Sequence, residues 1–173
     1  RPDRIVHGDF SADQVVVAVA VNIGASSLRD PQMLEWIATE LAIHPAAARQ
    51  LILEFPDHVA AAQPGRLAAW IERLGGFGVQ FSLDHFARGF ASFACLRQLR
   101  VHWLKVDGSL LRGLEHEPDQ APLLRAIVDI GHGLDMRLVA EGIESAAAWE
   151  EVRALGFDGG RGYHLGKPAS ITN

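Results

Sequence analysis

The stretch Phe81-Ser82-Leu83-Asp84-His85-Phe86-Ala87-Arg88-Gly89 sets an apolar run directly against a charged pair, and a small, glycine-bearing segment follows. A buried strand that opens into a loop at an acidic residue is how barrels and open sheets present chemistry, because the strand holds the group and the loop admits a ligand. Val79–Leu83 therefore reads as a strand that ends at Asp84. The arrangement recurs. Val15–Asn22 is a valine-rich run too short for a helix, reads as a strand buried on both faces, and ends in Asn22. Leu51–Phe55 brings Glu54 up to Pro56, Trp103–Val106 carries Lys105, Leu138–Ala140 runs into Glu141, and Phe157–Arg161 ends in Arg161.

Helical patterns lie between these runs. Asp30 and Pro31 supply an N-cap and a first-turn proline for a helix with Met33, Leu34, Ile37 and Leu41 on one side, stopping near His44-Pro45. Leu67–Leu74 is broken by Gly75, Gly76 and Gly78; Ala91–Leu99 forms a short helix; Asp119–Leu134 is amphipathic, with Leu123, Leu124, Ile127, Val128 and Ile130 towards the core. Ser145 caps a last helix that reaches Leu155. Alternating strands and helices imply right-handed crossovers and a parallel sheet. Polar residues at six strand ends, Asn22, Glu54, Asp84, Lys105, Glu141 and Arg161, predict the mouth of a TIM-type (β/α) barrel. An open doubly wound sheet would use only some of its strands for a ligand. A complete barrel has eight strand–helix units and ~250 residues; with about six units in 173 residues, the barrel is expected to be incomplete. Residues 1–14 read as an entry segment, 15–168 as the partial barrel and 169–173 as a tail, and the start at Arg1 reads as that of a fragment.

The chain is 49% hydrophobic, enough for one well-buried domain. A formal charge of −5 argues against a nucleic-acid polymer or an anionic membrane as general partner. The single Cys95 excludes an internal disulfide framework and reads as a small buried hydrophobe in a reducing compartment. No apolar run reaches the ~18 residues of a membrane span, and no signal-peptide pattern opens the chain.

Several motifs in order, Val21-Asn22-Ile23-Gly24, Leu53-Glu54-Phe55-Pro56-Asp57, Leu83 to Ser92, Leu104-Lys105-Val106-Asp107-Gly108-Ser109, Val139 to Ser145 and Gly162 to Pro168, make the chain resemble the EAL domain from about Val19 to Pro168. This is the barrel associated with hydrolysis or recognition of cyclic di-GMP. The resemblance implies metal-ligand roles for Asn22, Glu54 and Asp84, a water- or phosphate-orienting role for Lys105, and metal or general-base roles for Glu141 and Glu144. It places Lys167 and Pro168 in the segment that closes over the nucleotide. It also implies Mg²⁺ or Mn²⁺ if the domain is an active phosphodiesterase, and no cofactor otherwise.

Three departures stand out. The naming Glu-Ala-Leu stretch is absent, the family's second aspartate after Asp84 is His85, and the glutamine usual before Gly162-Tyr163 is Arg161. Two-metal phosphodiester hydrolysis holds its ions ~4 Å apart, clamping water and phosphate. A carboxylate can bridge two such ions, whereas a neutral imidazole offers one lone pair to one. Arg161 adds a fixed positive charge that opposes metal loading and favours a phosphate. The expected function is thus a cyclic di-GMP receptor with a degenerate site, using Asp84, Glu144, Arg161, Tyr163, Lys167 and Pro168 as binding residues. Asp84-His85-Phe86 and Glu54-Phe55-Pro56 are similar to the cytoplasmic EAL-like domains of LapD-type inner-membrane receptors, which implies a cytoplasmic location and further domains of a larger signalling protein.

Two other readings stand beside it: an active metal-dependent phosphodiesterase, with Lys105 and Glu141 in catalysis, and a non-binding module that forms homodimers at an open barrel edge. Each residue also has a bland role. Asn22 could satisfy loop backbone, Glu54 and Asp84 could be helix N-caps or ion-pair partners, and Lys105 could pair with Asp107 or Glu141. Glu144 could begin a helix, and His85 reads as a hydrogen-bonded loop histidine ahead of a metal ligand. Trp36, Trp70 and Trp149 read as packing residues, and Trp103 begins a strand.

Overall fold

The computed structural model describes residues 6–7, 18–86, 93–112 and 120–166. Six short strands, β2 (Val19–Asn22), β3 (Leu51–Pro56), β4 (Gln80–Phe86), β5 (Trp103–Val106), β6 (Arg137–Glu141) and β7 (Gly159–Arg161), run parallel and pair in sequence order. Parallel neighbours need a crossover, and helices supply it. They are α1 (Ala25–Arg29), α2 (Pro31–Ile43), α3 (Pro45–Ala48), α4 (Asp57–Ala62), α5 (Pro64–Gly75), α6 (Phe93–Leu99), α7 (Gln120–Gly133) and α8 (Ala146–Ala154). The short strand β1 (Val6–His7) adds antiparallel to β7, giving the order β1-β7-β6-β5-β4-β3-β2. The architecture is an incomplete TIM-type (β/α) barrel.

Strand alternation divides the sheet into two faces. Leu53, Phe55, Phe81, Leu83, Leu104, Val106, Leu138 and Ala140 pack outward into the main core with the helices. Ala20, Ile52, Trp103 and Val139 form a second, separate apolar cluster on the inner face. Two positions further along each of these strands stand Asn22, Glu54, Lys105 and Glu141. The inner apolar cluster is thus the floor, and the polar residues at the carboxyl ends lie on the same face above it. Gln80 accepts the Trp103 indole N–H at 2.7 Å and Arg137 lies 5.2 Å from the indole ring, closing the floor from the other end.

Local signals place the helices. Asp30 caps α2 by accepting the Gln32 N–H at 2.8 Å, with Pro31 in the first turn, and Ser145 caps α8 through Ala148 N at 3.1 Å. Two expectations change. Val15–Asn22 is not buried on both faces: the described strand starts at Val19, and Val19 and Val21 are 42% and 40% exposed. The reason is topological, since among the described residues β2 ends the sheet and has β3 as its one neighbour. In α7 the buried stripe is Leu124, Ile127, Val128 and Gly131, while Leu123 and Ile130 face outward. Gly131 belongs to that stripe because Leu138 fills the space a side chain would need: an added Cβ would lie 2.7 Å from Leu138 Cδ1. The antiparallel β1 and the short helices α1, α3 and α4 were not evident from periodicity, each being too brief to establish a period.

Backbone contacts then lock the loops after β5, β6 and β7. Gly142 has φ +76° and its Cα approaches Gly108, where an added Cβ would meet the Glu141 carbonyl at 2.7 Å. Gly162 is tighter still. Its Cβ would fall 2.0 Å from the Ile143 carbonyl oxygen, because Ile143 N donates to Arg161 O at 3.0 Å and His164 N to Ile143 O at 3.1 Å. At the amino end of the barrel, His102 Nδ1 accepts the Phe81 N–H at 3.2 Å, and burial holds this imidazole below its ordinary pKa. A neutral ring is required, since a protonated Nδ1 could not accept.

Gly162→Ala should therefore cost about 2 kcal/mol or more in denaturant unfolding, because backbone and not a flexible side chain must move. Stability should also fall as pH is lowered. The unfolded imidazole takes its proton near its ordinary value of about 6.5, above the lowered native one, so the His102 contribution is complete above that pH and is lost below it. His102→Gln should flatten this part of the melting-temperature profile relative to the parent chain.

Candidate functional site

Regular strand geometry would send Asp84 and His85 to opposite faces. It does not, because β4 carries a bulge here. Leu83 pairs with Leu104 and Phe86 with Val106, so Asp84 and His85 together face the single residue Lys105. His85 takes up the extra length with φ 58°, a left-handed conformation that histidine enters more readily than most residues. The bulge turns both side chains inward, onto the end of the barrel where the other polar strand ends stand.

Lys105 is the hub. Its Nζ lies 3.1 and 3.2 Å from the two oxygens of Glu54, 3.0 Å from Asp84 Oδ1 and 3.2 Å from Glu141 Oε1. The lysine and Glu54 are fully buried, and Asp84 and Glu141 nearly so. Burial alone would push the ammonium towards neutrality, but Glu141, Glu54 and Asp84 outweigh it and hold the lysine above its usual pKa. Lys105 is thus a permanent cation, unsuited to taking up a proton.

His85 Nδ1 stands 3.1 Å from Glu141 Oε2 and 3.3 Å from Asp107 Oδ2, and Nε2 is 3.5 Å from Asp84 Oδ2. These distances place the imidazole in the centre of the site and not at its edge. Asp107 was missed as a site residue. It is 5% exposed, also accepts the Ser109 N–H at 2.9 Å, and could have been found from Lys105 and Asp107 being two apart. Arg161 Nη1 lies 3.4 Å from Glu141 Oε1, across the β6–β7 pairing that sets these two residues opposite each other.

Glu54, Asp84, Lys105, Glu141 and Arg161 are therefore brought together as expected, with His85 and Asp107 added. Asn22 stands beside Glu54 in register but is exposed on the edge strand. Glu144 and the 67% exposed Tyr163 occupy the rim, outside the ion-pair network. Lys167 and Pro168 lie outside the described residues.

Among the described residues, Asp84, His85 and Glu141 each bring one potential metal-ligand atom within 4.8 Å of the others. Asp107 on Nδ1 would orient the ring and leave Nε2 as donor, the usual outer support of a ligating histidine. These residues fit one divalent ion with mixed nitrogen and oxygen ligation. Glu54, expected as a further ligand, directs both oxygens to Lys105. Four carboxylates, Glu54, Asp84, Asp107 and Glu141, face two fixed cations, Lys105 and Arg161, which leaves an excess of two negative charges before His85 is counted.

Removing the hub should expose this imbalance. Lys105→Met should destabilise the fold by ~3–5 kcal/mol, the cost of stranding buried charge. Urea unfolding at neutral pH would show the loss.

The EAL domain family profile matches residues 6–168. The chain is 31% identical over 150 residues to the bifunctional diguanylate cyclase/cyclic di-GMP phosphodiesterase MucR of Pseudomonas aeruginosa, covering 87% of this chain and 22% of that protein. It is 26% identical over 155 residues to the cyclic di-GMP phosphodiesterase PdeB of Shewanella oneidensis, covering 90% of this chain and 18% of that one. The chain thus spans about a fifth of the length of these curated relatives. The solved MucR phosphodiesterase in complex with c-di-GMP superposes with a TM-score of 0.80 at 30% identity, over 89% of this chain and 62% of that one. Apo Vibrio cholerae LapD, spanning its S helix, GGDEF and EAL parts, superposes with a TM-score of 0.79 at 22% identity, over 86% of this chain and 36% of that one, a likeness of fold. With the barrel, the strand-end charges and the ordered motifs all in agreement, this chain belongs to the EAL domain family.

Proposed function

We propose that this EAL domain is a cyclic di-GMP receptor whose site no longer supports efficient hydrolysis. The observation that carries this reading is the place of His85. Its ring stands 3.1 to 3.5 Å from Glu141, Asp107 and Asp84, at the position where an acidic residue could bridge two ions. A single imidazole lone pair cannot do so, and Glu54 is committed to Lys105. What remains suits recognition: Arg161 for a phosphate, Tyr163 for stacking on a guanine, and Glu144 for its edge. MucR, solved with c-di-GMP, supports the ligand class. In the same proposal the domain belongs to a larger cytoplasmic signalling protein; among the described residues no helix is long and apolar enough to cross a membrane.

An active phosphodiesterase is the second reading, favoured by the Asp84, His85 and Glu141 donor set and by relatives that carry that activity in their names. Magnesium or manganese, held by those three residues, would supply the Lewis acidity such an enzyme needs. Lys105 would orient the phosphate and Glu141 would handle the proton of the attacking water.

Calorimetric titration of cyclic di-GMP into the protein should give saturable heat, and incubation with Mg²⁺ or Mn²⁺ should leave most of the nucleotide intact by chromatography. His85→Asp should raise the turnover by about tenfold or more, the scale on which changed metal surroundings alter activity. Fast turnover by the parent chain would establish the second reading, and no heat up to high micromolar nucleotide would sink the first.

A further inference from the structure

Glu141 is where the cations of this site converge. Its Oε1 receives Lys105 Nζ at 3.2 Å and Arg161 Nη1 at 3.4 Å, while Oε2 faces His85 Nδ1 at 3.1 Å. The two fixed charges on Oε1 differ in exposure. Lys105 is fully buried and shared among three carboxylates, so it stays. Arg161 is 35% exposed, ends β7, and precedes the loop at 162–166, so a ligand arriving at the rim can reach its guanidinium. The same Glu141 carboxylate is one of the three donors that could hold a divalent ion. A guanidinium and a divalent cation on one carboxylate repel each other. The carboxylate cluster carries an excess of negative charge that also repels a phosphodiester, whereas a planar guanidinium is suited to a pair of phosphate oxygens.

We propose that the Arg161–Glu141 contact is a latch that couples two ligands of this site. While Arg161 rests on Glu141 it holds off a divalent cation. A phosphate of the dinucleotide draws the guanidinium away, leaving Glu141 to the metal, and the metal in turn offsets the carboxylates beneath the phosphate. By linkage each ligand strengthens the other by one common factor. The second half of this inference rests on the reading that the site takes cyclic di-GMP, whereas the first half concerns Arg161 and the metal alone.

The test uses Mn²⁺ as probe, its binding to the full protein followed by electron paramagnetic resonance with and without cyclic di-GMP. In nucleotide-free protein, Arg161→Gln should bind Mn²⁺ about fivefold more tightly than the parent, at the lower end of usual coupling factors. Arg161→Lys, which keeps the charge, should stay near the parent, and Arg161→Met repeats the neutral substitution with a different side chain. Saturating nucleotide should tighten Mn²⁺ binding in the parent, and by about fivefold less in the neutral variants, since direct attraction between phosphate and metal persists in both. Equal Mn²⁺ affinity in the parent and both neutral variants overturns the latch, as does absence of Mn²⁺ binding from all of them. A parent chain that binds no nucleotide overturns the coupling and the receptor reading together, and the nucleotide-free comparison still decides whether Arg161 opposes the metal.

Discussion

A lysine ammonium with no access to water is the constraint around which this half-barrel is arranged. Lys105 cannot be buried on β5 without compensation, and its partners come from three other strands, Glu54 on β3, Asp84 on β4 and Glu141 on β6. Taking such charges out of water costs several kcal/mol per ion, so the cluster persists only with good mutual geometry. That requirement ties together the carboxyl ends of four consecutive strands. The apolar floor of Ala20, Ile52, Trp103 and Val139 sets the depth of the cluster, and the loop glycines close the backbone around its upper edge.

The second determinant is the bulge in β4. One extra residue lets neighbours in sequence share a face, and the site gains a nitrogen ligand or hydrogen-bond donor where strand alternation would have placed none. Its consequence is chemical. An imidazole among Asp84, Asp107 and Glu141 reduces the oxygen ligands available to a pair of hard cations, while keeping the surroundings that could orient one. Arg161 acts in the same direction from β7 by adding positive charge to Glu141. Both residues stand within the strand-end cluster of a scaffold that superposes on MucR.

Much of this was legible in the chain itself. Strand-sized segments carrying Asn22, Glu54, Asp84, Lys105, Glu141 and Arg161 at or near their ends indicated the parallel barrel and the end at which its polar groups meet, because alternation and crossover geometry leave few other solutions. Caps at Asp30 and Ser145 were legible because their chemistry is local. Tertiary structure alone decided the rest. Whether Lys105 pairs with Glu54, Asp84 or Glu141 depends on strand shear and depth, which no spacing encodes. The inward turn of His85 depends on a bulge defined by the neighbouring strand, the role of Asp107 on that turn, and the exposure of Val19, Val21, Leu123 and Ile130 on which neighbours cover them. Periodicity reports which residues share a face of one element, whereas what covers that face is set by elements distant in the chain.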